Sequence, residues 1–210
     1  MARPRAADYD GKRQAILDHS AEVFAKHGYD RASMEQVAKA CGVSKALLYH
    51  YYVNKAALLF DILHDHLQGL VDAVLAVVRE LPPQARLRAL VGALLEAYRD
   101  ADDEHKIQLN ELGKLPPKRQ KLLTDMERDL VNVFAEAIAA VNPALASDNA
   151  LLKPVTMSLF GMINWHYMWF REGKALTRED YADLVTTLLV EGAAALTAQA
   201  PAAPKRAVRA

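Results

Sequence analysis

Apolar residues recur at three- and four-residue intervals along almost the whole chain, and no run alternates with the two-residue period of a strand. The pattern predicts an all-α protein. A first helix is expected from about Lys12 to His27, with Ile16, Ala21, Val23 and Phe24 on one face and Gly28 as its stop. Two short helices follow at 33–40 and 44–52. A longer one starts near Asn54, carries Leu58, Ile62, His66/Leu67 and Val71/Val74 as its stripe, and ends before Pro82-Pro83. Further helices are predicted at 84–101, 103–112, 117–141, 148–171 and 177–198, with breaks at Asp102-Asp103, Gly113 to Pro117, Asn142-Pro143 and Gly173. No internal repeat is evident.

The segment SMEQVAKACGVSKALLYHYYVNK, Ser33 to Lys55, is the densest in local signals. Ser33 with Gln36 reads as a capping box, and Ser44 as the cap of a second helix. Gly42 suits a turn needing positive φ, and Ala38 is small enough for two helices to cross closely. Val37, Val43 and Leu48 supply apolar contacts between them. That spells a helix-turn-helix, with Lys45, Tyr49 and His50 left on the outer side of a helix too short to persist without packing. The lone Cys41 lies inside this motif, forbids an internal disulfide and is read as a packing residue.

Charge sharpens this picture. The chain is neutral overall, yet residues 1–60 hold 9 Lys/Arg against 6 Asp/Glu, residues 61–200 hold 14 against 20, and the last ten residues add three positive charges. A basic front end on an acidic body suits a DNA-binding head joined to a partner domain that does not bind DNA. A hydrophobic content of 52% supports a buried core. The start MARPRAADYDGKRQ lacks an apolar core segment, so no secretory leader is expected. The longest charge-free run, 154–170, falls short of the ~20 apolar residues of a spanning helix. A cytoplasmic protein with no membrane partner is the expectation.

The text RQAILDHSAEVFAKHGYDRASMEQVAKACGVSKALLYHYYVNKAALL closely resembles the DNA-binding domain of the TetR family of bacterial transcriptional regulators. It departs from the common family pattern at Tyr51-Tyr52, often His-Phe, and at Ala56-Ala57, often acidic. The resemblance implies a homodimeric, ligand-responsive repressor: a three-helix head over 9–55 (motif about 31–52), a helical ligand-binding and dimerisation bundle over 56–198, and a basic tail, 199–210, expected to be disordered. It places recognition-helix positions on Lys45, Ala46, Leu47, Tyr49, His50 and Tyr51, and phosphate contacts on Ser33 and Lys55. Physical chemistry gives compatible roles. Lys45 can donate to guanine O6/N7, Ala46 and Leu47 can touch a thymine methyl, and Tyr49, Tyr51 and Lys55 suit phosphates. Tyr51 and Tyr52 are alternatively core aromatics, the reading favoured for Tyr52, and His50 a solvent-facing turn residue. Arg3, Arg5 and Lys12 are either a basic arm or a frayed terminus.

The segments 154–170 and 177–198 are apolar on more than one side, the second through Tyr181, Leu184, Val185, Leu188, Leu189, Gly192 and Leu196. A homodimer through these last two helices is expected, against the plainer reading of two core helices. The stretch GMINWHYMWFREGKALTREDYADLVTTLLVEG is similar to TetR-type regulators that respond to acyl- or aryl-coenzyme A thioesters. A pocket of Met126, Phe134, Met157, Met162 and Trp165, with His105, Asn110 or His166 as polar groups, would suit an acyl or phenyl group such as that of phenylacetyl-CoA. The rival inducer is a bulky apolar or cationic drug acting on an efflux-pump repressor, with Glu111 or Glu127 as counter-charge. A helical adaptor without DNA binding leaves the Lys45/Tyr49 face unexplained. No phosphate loop, nucleophile elbow or zinc spacing is found, so no catalytic residue, metal or cofactor is expected. His64 and His66, two apart, do not share a helix face.

Overall fold

The computed structural model describes residues 3–147, 149–171, 173–174 and 176–199. Among these the regular elements are helices alone: α1 (Arg3–His27), α2 (Met34–Ala40), α3 (Lys45–Tyr51), α4 (Lys55–Leu75), α5 (Pro83–Ala97), α6 (Asp102–Glu111), α7 (Pro117–Val141), α8 (Pro143–Ser147), α9 (Asn149–Asn164) and α10 (Arg178–Gln199). Short 3-10 turns occupy Leu112–Lys114 and His166–Met168. Two packing units result, one formed by residues up to Ala73 with Ala97–Asp129, the other by Val74–Glu96 with the residues from Leu130 onward.

In the first unit α1 lies against α2 and α6, and α2 against α3. Ile16, Leu17, Phe24, Val37, Leu48, Leu58 and Leu63 are buried there. Gly28 takes φ 78° where α1 ends and Gly42 takes φ 64° between α2 and α3, conformations that a side chain would strain. After Gly42 the Val43 amide donates back to Ala38 O at 3.0 Å, which closes the turn. Asn54 caps α4, its Oδ1 accepting from the Ala57 amide at 2.8 Å. Arg13 of α1 pairs with Asp61 of α4 at 2.8 Å, and Arg119 of α7 reaches Ala56 O and lies 4.9 Å from the Phe60 ring.

In the second unit α9 lies against α8 and α10. Its core includes Leu90, Leu94, Phe134, Leu159, Ile163, Val185 and Leu189. His166 is buried with its ring stacked 4.2 Å from Phe170 and 5.4 Å from Tyr181, and the Tyr181 hydroxyl donates to Met162 O. Arg88 of α5 pairs with Asp183 of α10 at 2.6 Å.

Several expected boundaries differ. α1 begins at Arg3 rather than Lys12: Pro4 sits in its first turn, where the missing amide hydrogen costs nothing, and the helix runs on through Gly11. α5 ends at Ala97 rather than 101; Asp100 sits in the left-handed region, φ 59°, which a helix cannot continue through. The span 148–171 is α9 followed by a 3-10 turn, and Pro143 opens the short α8 instead of only marking a break, as proline suits a first helical position. Arg178–Ala198 in α10 has the length and composition of a membrane-crossing helix, mean hydropathy 1.2, contrary to the expectation that none has. The side chains of Arg3 and Arg5 and the tail beyond Gln199 lie outside the described residues. Lys12 is exposed.

Candidate nucleic-acid interface

Both motif helices start as their caps require. Ser33 Oγ accepts from the Gln36 amide at 3.2 Å while Gln36 Oε1 accepts from the Ser33 amide at 2.8 Å; Ser44 Oγ accepts from the Leu47 amide at 3.1 Å. Leu48 is the buried residue of α3 and anchors it. Lys45, Ala46, Leu47, Tyr49 and His50 therefore point outward together. Lys45 Nζ is 3.8 Å from Glu35 Oε2, both side chains largely exposed, so this pair yields readily to a competing acceptor. Ser33 is exposed, and with its lone pair given to Gln36 its hydroxyl hydrogen remains available to an anion. A groove of about 410 Å³ runs between Ser33, Glu35, Lys45, Tyr49 and Lys55.

Two aromatic expectations resolve differently. Tyr52 is buried, and burial pushes its phenol well above the ordinary value, as fits the core reading. Tyr51 is half-buried and stacks on Tyr9 with ring centroids 4.8 Å apart. Tyr9 was not singled out from sequence, since nothing local marks a contact made forty-two residues away. Cys41 is half-buried, with its Sγ 3.9 Å from Ile16 O and its thiol pushed up by burial.

Lys55 turns inward rather than outward. Its ammonium donates to Tyr29 O at 2.6 Å, Ala32 O at 2.8 Å and Asp30 O at 3.2 Å, and stands 4.4 Å from the centre of the Tyr29 ring. All three N–H donors face the loop between α1 and α2, not the outer side where the resemblance expects a phosphate.

The sequence profile described as "Bacterial regulatory proteins, tetR family" matches residues 16–62, and "Tetracyclin repressor-like, C-terminal domain" matches 80–193. The chain belongs to the TetR family. It is a DNA-binding transcriptional regulator, not an enzyme. A TetR-family regulator from Bordetella parapertussis 12822 is 32% identical, TM-score 0.80, over 84% of this chain and 93% of that one. AibR, solved with isovaleryl coenzyme A and operator DNA, is 30% identical, TM-score 0.71, over 85% and 98%. The repressor KstR2 of Rhodococcus jostii RHA1 is 26% identical over 204 residues, 92% of this chain and 98% of its own length. Other curated relatives are matched over about a third to two thirds of their length; among them the activator FasR of Mycolicibacterium smegmatis is 35% identical over 88 residues, 40% of its length.

In this TetR-family regulator the residues expected to line a pocket fall in both units. His105 is buried in the first unit beside the buried His66 and Tyr98, with ring centroids 6.1 and 4.4 Å away. Gln108 in the same region donates to Glu127 Oε1 at 2.8 Å. Burial, reinforced by the neighbouring His105, drops the His66 pKa to about 3, and burial holds the Tyr98 phenol protonated, so these two side chains are neutral polar groups. Met126 is half-buried; Phe134 and His166 are buried and Met162 half-buried in the second unit. Asn110, Met157 and Trp165 are exposed and do not line an interior pocket: Asn110 bonds its own helix at Lys106 O, while Met157 and Trp165 stand on an outer face of the α9 region. Glu111 is engaged by the Tyr29 amide. A separate cleft of about 220 Å³ between Gln14, Asp18, Asp65, Asp100 and Glu104 was not foreseen, because its carboxylates come from three separate stretches of chain. Burial, then the like charges of Asp103, Asp18 and Glu22, raise the Glu104 pKa to about 7. Among the described residues no group of three or more His, Cys, Asp or Glu is placed to hold a metal ion.

Proposed function

We propose that the chain is a cytoplasmic homodimeric repressor, released from a pseudo-palindromic operator by an acyl- or aryl-CoA thioester. The observation that carries the ligand class is the 30% identity to AibR, whose solved complex holds isovaleryl coenzyme A and operator DNA, across 85% of this chain and 98% of that one. Two heads dock through Ser33, Lys45, Ala46, Leu47, Tyr49 and His50 in major grooves spaced by about one helical turn or a multiple of it. The partner is a second copy seated on α9 and α10. Met157 and Trp165 near α9, and Leu184, Leu188 and Leu196 on α10, are each about half exposed while the other sides of these helices are filled. Rows spaced by four residues and interrupted by Gly161 and Gly192 suit close helix–helix contact better than a lipid face. An inducer acts only as far as it prefers the DNA-incompetent state.

A second reading has one observation in its favour. The carboxylate-lined cleft at Asp18, Asp65, Asp100 and Glu104 would attract a cationic compound, as in a repressor of a drug-efflux pump. Isothermal titration against phenylacetyl-CoA, a fatty acyl-CoA and a cationic dye separates the two. Heat and operator release with a thioester are expected; a response to the dye alone overturns the thioester reading. Absence of any gel shift with the gene's own upstream DNA returns the chain to a helical adaptor.

A further inference from the structure

We propose that Lys55 is a positioning residue for DNA recognition: from the first turn of α4 its ammonium locks the loop of residues 29–32, and thereby the start of α2, without meeting a phosphate itself. An ammonium has three hydrogens, and here each faces a carbonyl, those of Tyr29, Asp30 and Ala32. The Tyr29 ring covers a further side at 4.4 Å. Turning toward DNA would cost Lys55 three charge-assisted bonds and leave three convergent carbonyls without their donor.

The loop is shaped to be held this way. Gly28 at φ 78° reverses the chain, and the Ala32 amide closes it by donating to Gly28 O at 3.1 Å. Ala32 is buried and directly precedes Ser33, so a fixed Ala32 carbonyl fixes the cap from which α2 grows. The other side of the loop is also tied: Glu111 Oε1 accepts from the Tyr29 amide at 3.3 Å, and the Lys114 ammonium bonds the Asp30 carboxylate. The place of Lys55 in its helix agrees. A lysine in a first turn, without an acidic neighbour there, opposes the helix dipole. Its reach to the loop carbonyls offsets that cost.

The test uses the full chain and a duplex that the unaltered protein selects from a random pool. Lys55→Met is expected to weaken binding about tenfold at fixed salt, since the recognition helix loses its seat. The slope of log affinity against log salt stays unchanged, whereas loss of a phosphate contact lowers it by about 0.9. Lys55→Arg, which still donates to carbonyls, restores most of the affinity. If Lys55→Met does not fold, the unaltered protein decides. In ¹⁵N-lysine spectra the Lys55 ammonium signal is expected to be the same with and without duplex. A slope reduced by one phosphate, a signal that moves on adding duplex, or an unaffected Lys55→Met each overturns the assignment. The assignment rests on the DNA-binding reading. If the unaltered protein selects no duplex, that reading fails as well, an outcome distinct from every Lys55 result.

Discussion

Lys45 and Lys55 are both cations of the head, yet their surroundings give them opposite roles. Lys45 is exposed and loosely paired with Glu35, free to donate to a base edge. Lys45→Ala is expected to cost about 1–3 kcal/mol of discrimination at one base position, relaxing preference there in a series of singly substituted duplexes. An equal loss on every duplex would make it a phosphate contact instead. The outward set on α3 was legible because turn and cap residues fix its phase. The role of Lys55 was not, because its partners are backbone carbonyls that no side-chain pattern encodes. Glu104 likewise reads as an ordinary helix-start acid until the fold surrounds it with Asp18, Glu22 and Asp103. Its raised pKa lets the folded state keep a proton that the unfolded chain releases, so stability falls as pH rises from about 4.5 to about 7. The depressed His66 has the opposite slope, losing stability as pH falls from 6.5 toward about 3. At pH 8 Glu104→Gln is expected to raise Tm by about 2–4 °C, roughly 1 kcal/mol after allowance for solvent screening of a half-buried group. Near pH 4.5 it should melt with the unaltered protein. A gain independent of pH would assign the effect to packing.

Among the elements, α2 and α3 depend on tertiary contact more than on their own propensity, since seven residues cannot sustain an isolated helix. Leu48→Ala removes the buried anchor of α3 and is expected to cost about 2–5 kcal/mol, whereas Ser33→Ala, which loses one cap, costs about 1 kcal/mol. Chemical denaturation followed by circular dichroism ranks the two; a Ser33→Ala as damaging as Leu48→Ala would mean that the cap, not the core, seats the motif. The same distinction explains which elements were legible. Caps, Gly28, Gly42 and Pro117 are local signals, and the helices they bound fall close to expectation. The end of α5 goes with the left-handed backbone at Asp100, and the break of the last core stretch into α9 and a 3-10 turn accompanies the stacking of His166 on Phe170; periodicity reports neither. Pocket residues were the hardest to place. A Met or Trp at helical spacing looks alike whether it faces inward, as half-buried Met162 does, or outward, as Met157 and Trp165 do.

At the scale of the molecule, zero net charge conceals a basic amino-terminal stretch and an acidic body, so attraction to DNA is local and one head alone has few contacts. In the proposed homodimer duplication supplies the rest: when two heads are joined, the second binding event proceeds at a high effective concentration. The exposed leucines of α10 give this a direct test. Leu188 is 58% exposed in the single chain, so a substitution there spares the core of either unit. Leu188→Glu would bring two carboxylates into an apolar interface at a two-fold axis, where each lacks a partner and repels the other. Sedimentation velocity is expected to show a monomer with unchanged helical circular dichroism, and affinity for a palindromic duplex should fall by about 10²-fold or more, while affinity for a single half-site is retained. A Leu188→Glu protein that stays dimeric would place the interface elsewhere. If it becomes monomeric yet binds the palindrome undiminished, two-headed recognition is wrong even though self-association is right.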